Sequence, residues 1–412
     1  MKEEIKITKL IFVFVLLLII TTAGLRFVTI NKIMVSPLSK SFSIYAFLAN
    51  HKPPSKTVYG FLPWWSLKDA KYLQLDKLTD IAYFGLNIDA EGNFVTHTDE
   101  GSIDPGYDKW INDDSLVTLI KNAKLCGVKI ALTIISHYDE TSDRFLNCQT
   151  CWDNLANNTI AELRKKEITD VNINFEYTEY TPKETADKYT RFIKYLNDRL
   201  DNEFVKSEVI VSTFADSMTK PRVTDIKGLG QVADGIFIMA YDFHRPTSKN
   251  AGPVAPINGK GVHAEYDIST MLLDYVSVSP PNKLIMGVPY YGYNWVVETD
   301  EKYAQRISGN DDIGYSQSQT YKNIMDTILE TSPDIEWDEL AQSPYFIYTS
   351  PKTNSIREVY FDNKDSLREK YKLVKKNGLR GVGIWALGYD GGYTDLWDLL
   401  GEEFTNKEDS PL

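Results

Sequence analysis

From Thr57 onward the chain alternates short β-rich runs with amphipathic helical stretches, and it does so eight times. The strand-like runs are Val58–Pro63, Ile81–Ile88, Lys129–Ile135, Asp170–Glu176, Glu208–Phe214, Gly235–Tyr241, Lys283–Pro289 and Gly381–Leu387. Helical periodicity lies between them at Leu116–Leu125, Asn154–Lys166 and Lys183–Leu200, and later at Asp365–Lys376. Strands separated by helices pair in parallel, because each crossover carries the chain back to the same edge. Eight such units predict a (β/α)8 barrel of the α/β class. A doubly wound sheet is the alternative, but it needs a Gly-rich phosphate loop after a strand, and the sequence has none. The interval between the seventh and eighth strands exceeds one helix. Residues 296–362 hold a helical stretch, Ser316–Glu330, and two strand-like runs, Tyr345–Thr349 and Glu358–Phe361, which predicts a small α+β insertion. The barrel is expected over 57–405, followed by a polar tail, 406–412.

One run carries chemistry as well as structure. Residues 170–177 read Asp-Val-Asn-Ile-Asn-Phe-Glu-Tyr. With a strand's period of two, Val171, Ile173 and Phe175 share one face, and Asn172, Asn174 and Glu176 share the other. Three successive polar side chains need hydrogen-bond partners if buried, so that face is expected to open into a site. An edge strand with one wet face is the structural alternative. In a barrel of this kind the site lies at the C-terminal ends of the strands. Those ends supply Pro63-Trp64-Trp65, Glu176-Tyr177, Ala215-Asp216, Met239-Ala240-Tyr241-Asp242, Tyr290 to Trp295, and Trp385. Aromatic faces stack on sugar rings, and carboxyl groups move the protons of glycosidic cleavage.

At this point the sequence resembles glycoside hydrolase family 18, the chitinase-like family, and within it the bacterial spore-cortex and peptidoglycan-lytic branch. The likeness covers nearly all of residues 57–403. The family's fourth-strand D-x-x-D-x-D-x-E aligns its last residue with Glu176. Its M-x-Y-D aligns with Met239, Tyr241 and Asp242, and its G-V-P-x-Y-G-x-x-W with Gly287 through Trp295. Its G-x-x-x-W aligns with Gly381 and Trp385. The lytic branch is further suggested by Ala251 to Pro256 and by Glu358-Val359-Tyr360-Phe361 with Ser366-Leu367.

The resemblance implies a β-linked N-acetylhexosaminide, in peptidoglycan or a chitin-like glycan, cleaved with retention by a substrate-assisted route and without cofactor or metal. It implies Glu176 as general acid/base, Tyr241 as donor to the acetamido oxygen, Asp242 as an orienting group and Trp385 as the subsite floor. Asn172, Phe61, Tyr291 and Trp295 are the further candidates to contact sugar. The chain departs from the pattern at Thr169, Asn172 and Asn174. At Asn174 the family carries a carboxylate that offsets charge on the cationic intermediate. An amide oxygen still accepts a hydrogen bond there but brings no charge, and its neutrality leaves Glu176 easier to ionise. The alternative implied by that departure is a weakened or inactive glycan-binding barrel. Glu179 lies past the strand end and is read as loop.

The remaining features bound partners and compartment. A net charge of −12 with no basic run argues against nucleic acid, and 25 tyrosines and 8 tryptophans suit a carbohydrate surface. Lys2, Lys6 and Lys9 precede an uncharged apolar run from Leu10 to Leu25. Residues 1–30 are therefore expected to form a signal-anchor or a signal peptide, with 31–56 as a juxtamembrane linker and the barrel outside the cytoplasm. Cys148 and Cys151 are placed to bridge locally or to remain free thiols, and Cys126 is expected in the core. Oligomeric state is not legible.

Overall fold

The computed structural model describes residues 53–405, apart from Pro221 and His263. The expected anchor, most of the linker and the polar tail lie outside the described residues. No helix among the described residues is long and apolar enough to cross a membrane.

The barrel opens with β1 (Thr57–Pro63), β2 (Asp80–Asn87), β3 (Lys129–Ser136) and β4 (Asp170–Phe175). It continues with β5 (Val209–Phe214), β6 (Gly235–Met239) and β7 (Leu284–Pro289). An inserted sheet follows: β8 (Tyr291–Val296), β9 (Gln317–Thr320), β10 (Glu336–Asp338), β11 (Ser343–Thr349) and β12 (Ile356–Phe361). The last barrel strand is β13 (Gly381–Trp385), and the ring closes in the order β1-β13-β7-β6-β5-β4-β3-β2. Every pairing in the ring is parallel. The eight strands anticipated from the sequence are all present, with ends within about two residues.

Alternation along β4 sorts its side chains as parity requires. Val171, Ile173 and Phe175 face outward, where Phe175 packs on Phe145 and Tyr189 of the surrounding helices. The even positions face the barrel interior, since Asn174 is in register with Ile135, a member of the inner cluster. The lumen is filled by Tyr59, Phe61, Phe84, Ile210 and Phe237. Phe237 decides a residue on β13, two strands away round the ring: a Cβ on Gly383 would lie 2.0 Å from its Cε2. Overpacking of this order costs roughly 1–3 kcal/mol or more.

At the N-terminal end of the strands, Asp80, Asp170 and Glu208 bring carboxylate oxygens within 4.8 Å of one another. Lys129 lies 2.9 Å from Glu208 and 3.9 Å from Asp80, and Arg380 lies 2.8 Å from Glu208. Two cations for three carboxylates leave an excess negative charge. Burial, with the neighbouring carboxylates, pushes Asp170 up to about 6.

Two boundaries differ from expectation. The insertion begins at Tyr291 rather than near residue 296, because β8 leaves β7 at once and pairs antiparallel with β12 and β9. The helix expected over Ser316–Glu330 runs over Tyr321–Thr331, since residues 317–320 pair with β8 and the Thr320 side chain caps the helix. The disulfide Cys148–Cys151 forms across the first turn of the helix Gln149–Lys166, and Cys126 is buried and free.

Glu358 on β12 is fully buried and accepts the backbone N–H groups of Tyr303 and Ala304 at 2.9 and 3.0 Å. Burial pushes its carboxyl up to about 8, against about 4.3 in an unfolded chain. Between those values the folded state holds a proton that the unfolded state has released, so stability declines as pH rises through that window. Thermal melts of wild type and Glu358→Gln from pH 5 to 8 are expected to diverge, with the flatter dependence in the variant. Equal slopes would remove Glu358 from this role.

Candidate active site at the C-terminal mouth of the barrel

The strand ends and the inserted sheet enclose a cavity of about 790 Å³. Its floor holds Phe61, Phe84 and Trp385, and its walls include Asn174, Glu176, Tyr241, Asp242, Tyr291 and Tyr293. Trp385 is wedged by rings on two sides, 4.8 Å from Phe84 and 5.6 Å from Phe61 between centroids. A large side chain held this way loses little further freedom when a flat ligand stacks on it.

Glu176 is the first residue beyond β4, and its N–H donates to the Ser136 carbonyl at 2.9 Å. The turn that follows is tied down by Asp139, whose carboxylate accepts from Thr178 and Glu179 backbone N–H at 3.2 and 3.1 Å. The Tyr177 hydroxyl adds a bond to Asp143. The Glu176 carboxyl is therefore presented from a braced turn. Its Oε1 accepts from Asn174 Nδ2 at 2.8 Å and lies 3.3 Å from His137 Nε2. The imidazole also lies 3.3 Å from Asn174 Nδ2. Burial alone would raise the Glu176 pKa. The facing His137, then Asn174 and Arg245, outweigh it and hold the carboxyl below its usual range. That direction agrees with the expectation from Asn174. With Nδ2 turned to Glu176, Asn174 Oδ1 is buried with no protein partner.

Asp242 adopts a left-handed backbone (φ +63°), uncommon for a residue with a side chain and costly by about 1 kcal/mol or more. Its carboxylate collects the hydroxyls of Tyr291 and Tyr293 and lies 3.7 Å from Arg245 Nε. Burial first, then the charges of Asp242 and Glu176, hold the Tyr241 phenol well above its usual range, so it remains a neutral donor. Asp216 also borders the cavity, paired with Arg222 and with Lys220 at 3.1 Å.

Of the residues singled out from the sequence, Glu176, Asn174, Tyr241, Asp242, Trp385, Phe61 and Tyr291 meet at this cavity. Two do not. Asn172 is fully buried one layer deeper, donating to the Ile210 carbonyl at 3.3 Å and accepting from Ser212 at 3.1 Å. Parity gave its face but not its depth. Trp295 is also fully buried, and its indole N–H donates to the Arg245 carbonyl at 3.1 Å. It braces the loop after β6 instead of facing the cavity. Glu179 is exposed, as expected of a loop residue. Sequence reasoning missed His137 and Arg245. The signal for His137 is its place directly after the third strand, at the same end of the barrel as Glu176.

Comparison with known proteins gives the same outline. A family model described as glycosyl hydrolases family 18 matches residues 57–390. The cortical fragment-lytic enzyme of Bacillus subtilis is 26% identical over 294 residues, 70% of this chain and 62% of that protein. The putative sporulation-specific glycosylase YdhD of the same organism is 28% identical over 249 residues, covering 60% of this chain and 54% of that protein. The chain thus spans 54% and 62% of the length of these two relatives. Among solved structures, the spore cortex-lytic enzyme SleL of Bacillus megaterium superposes with a TM-score of 0.66 at 20% identity, covering 86% of this chain and 75% of that one. The group IV chitinase of Ostrinia furnacalis, solved with allosamidin, gives 0.71 at 19% identity, covering 84% and 97%. At these identities the two structures share the fold.

Proposed function

Because the chain belongs to glycosyl hydrolase family 18, we propose that it hydrolyses β-linked N-acetylhexosaminides in a peptidoglycan or chitin-like glycan. The observation that carries this reading is Glu176, presented from a braced turn into a cavity floored by Trp385 and walled by Tyr241 and Asp242. The relatives support it: one is named for cortical fragments, and another, from Mus musculus, is a di-N-acetylchitobiase.

In the proposed reaction Glu176 gives a proton to the glycosidic oxygen as the C1–O bond breaks. The substrate's acetamido oxygen bonds to C1 and forms an oxazolinium-like ring. Tyr241, neutral by virtue of its surroundings, donates to that oxygen and aligns it for attack. Asn174 Oδ1, which lacks a protein partner, is free to accept the acetamido N–H. Glu176, now a carboxylate, then takes a proton from water as the hydroxyl adds to C1 and the ring opens, which gives net retention. Trp385→Ala is expected to raise KM about tenfold by removing the stacking face. Tyr241→Phe is expected to lower kcat about tenfold with KM little changed. Initial-rate kinetics on an N-acetylglucosamine oligomer separate the two effects.

A second reading, a weakened or inactive glycan-binding barrel, is favoured by one observation. The Asn174 amide donates to Glu176 and brings no charge of its own. Turnover of fluorogenic chitooligosaccharides and of peptidoglycan-derived saccharides by the full chain decides between them. Binding without release of product would leave the second reading standing. The apolar run 10–25 supports placing the reaction outside the cytoplasm. Recovery of the chain in the cytosolic fraction of cells would remove that placement.

A further inference from the structure

We propose that Asp80, Asp170 and Glu208, together with the Tyr59 hydroxyl, form a binding site for a hard divalent cation, Ca²⁺ by preference, at the N-terminal end of the barrel. The site goes beyond the hydrolase reading and does not rest on it. Asp170 opens β4 whereas Glu176 follows its last residue, so about 20 Å of strand separates this cluster from the proposed acid. Tyr59 comes from β1, Asp80 from the start of β2, Asp170 from the start of β4, and Glu208 directly precedes β5. One carboxylate oxygen from each acid lies within 4.8 Å of the other two. A Ca²⁺ ion with bonds of about 2.3–2.6 Å holds oxygens up to about 5 Å apart, so the spacing suits a single ion.

Each carboxylate has one oxygen committed and one to spare. Thr79 Oγ1 donates to Asp80 Oδ2 at 2.6 Å. Asp170 Oδ1 accepts from Thr169 Oγ1 at 2.8 Å and from the Glu208 N–H at 3.1 Å. Glu208 Oε2 takes both cations of the cluster, Lys129 at 2.9 Å and Arg380 at 2.8 Å. Asp80 Oδ1, Asp170 Oδ2 and Glu208 Oε1 accept no hydrogen bond among the described residues, and Lys129 Nζ stands 3.9 Å from the first of them. Tyr59 is the independent observation. Its ring packs on Phe61 and Phe237 in the lumen, it is 2% exposed, and its hydroxyl has no partner among the described residues. Burial first, then the charges of Asp80, Asp170 and Glu208, keep the phenol neutral, so a hydroxyl with free lone pairs lies among the three carboxylates. Buried polar atoms are rarely left unpaired, and a cation held by these acids gives this one its partner.

The donors are all oxygens and three of them are charged, a set that takes Ca²⁺, Mg²⁺ or Mn²⁺ in preference to softer ions. Lys129 and Arg380 answer three negative charges with two positive ones, so the cluster has room for further positive charge. Entry is from the N-terminal face, where the Lys129 side chain is 50% accessible and that of Glu208 27%. Lys129 swings outward as the ion takes its place, and water supplies the remaining ligands. The bound ion ties β1, β2 and β4 to the start of β5. It acts on the stability of the barrel and takes no part in chemistry at the opposite mouth.

The test strips the full chain with a chelator and titrates it at neutral pH with CaCl₂, MgCl₂ or MnCl₂, read by calorimetry and by thermal melts. Ca²⁺ at a hundredfold excess over its Kd is expected to raise Tm by about 3–4 °C. Asp170→Asn is expected to weaken binding about 100-fold or more by removing a charged ligand. Tyr59→Phe keeps the ring and is expected to weaken binding about 3- to 10-fold. Lys129→Gln is expected to lower Tm in chelator yet tighten Ca²⁺ binding about tenfold, because it removes the competing ammonium. No shift with any of the three ions overturns the proposal, as does a shift that Asp170→Asn and Tyr59→Phe leave unchanged. If Ca²⁺ does not restore the stability lost in Lys129→Gln, the proposal also fails and the cluster is a closed ion-pair network. Should Asp170→Asn not fold, Tyr59→Phe and Lys129→Gln carry the test. Glycan turnover enters none of these readouts, so failure of the hydrolase reading leaves them as they stand.

Discussion

Glu176→Gln is expected to lower kcat by about 1,000-fold or more while oligosaccharide affinity changes by less than about threefold. The substitution keeps the shape of the side chain. It also keeps an oxygen able to accept the Asn174 Nδ2 bond that Oε1 accepts at 2.8 Å. What it removes is the ability to carry a proton to the leaving oxygen and to take one back from water, so both chemical steps suffer. Trp385, Phe61 and Phe84 are untouched, and the stacking floor remains. Initial rates together with calorimetric binding on the same oligomer check the prediction. A variant within tenfold of wild type would mean that the acid lies elsewhere. Asp216, a further carboxylate on the cavity wall, is engaged by Arg222 and Lys220, whose bonds hold it ionised. Glu179, exposed in the loop after β4, is expected to tolerate replacement by Gln with no loss.

The barrel was legible because each strand is a short β-rich run, mostly apolar throughout, and the helical stretches between strands have their own period, so order and number could be read without knowing contacts. The Asp170 to Tyr177 run went further, since parity alone sent Asn174 to the lumen and Phe175 to the helices. Parity carries no depth, however. Asn172 and Asn174 share a face, yet one is hydrogen-bonded to Ser212 and the Ile210 carbonyl in the barrel interior and the other meets the cavity. Tyr291, Tyr293 and Trp295 share a face in the same way. The two phenols reach Asp242, whereas the indole turns under the Arg245 carbonyl. The start of the insertion was hidden because β7 passes into β8 across Tyr290 alone, with no turn residue to mark the change of sheet. His137 was hidden for another reason. Its neighbour Glu176 is brought to it by the pairing of β3 with β4, and a lone histidine after a strand has no spacing that announces such a partner.

Asn174→Asp is expected to raise kcat by about 10- to 100-fold, which corresponds to roughly 1.4–2.7 kcal/mol of transition-state stabilisation. Asn174 is 3% exposed, and its Nδ2 faces the acid while its Oδ1 has no protein partner. The substitution replaces an N–H that stabilises ionised Glu176 with a second carboxylate oxygen. Like charge then raises the pKa of Glu176 and keeps more of it protonated. The same carboxylate places negative charge beside the oxazolinium-like intermediate, where an amide places only a dipole. Burying a new carboxylate costs stability, and the His137 ring nitrogen, 3.3 Å from the present amide nitrogen, is positioned to limit that cost through a hydrogen bond. A lower melting temperature together with a faster enzyme is therefore the expected pair of results. If the variant is no faster, neither the charge at residue 174 nor the protonation of Glu176 limits the rate. If both wild type and variant are silent on every N-acetylhexosaminide while still binding them, the barrel is a glycan-binding module, and the Glu176 carboxyl serves binding in place of proton transfer.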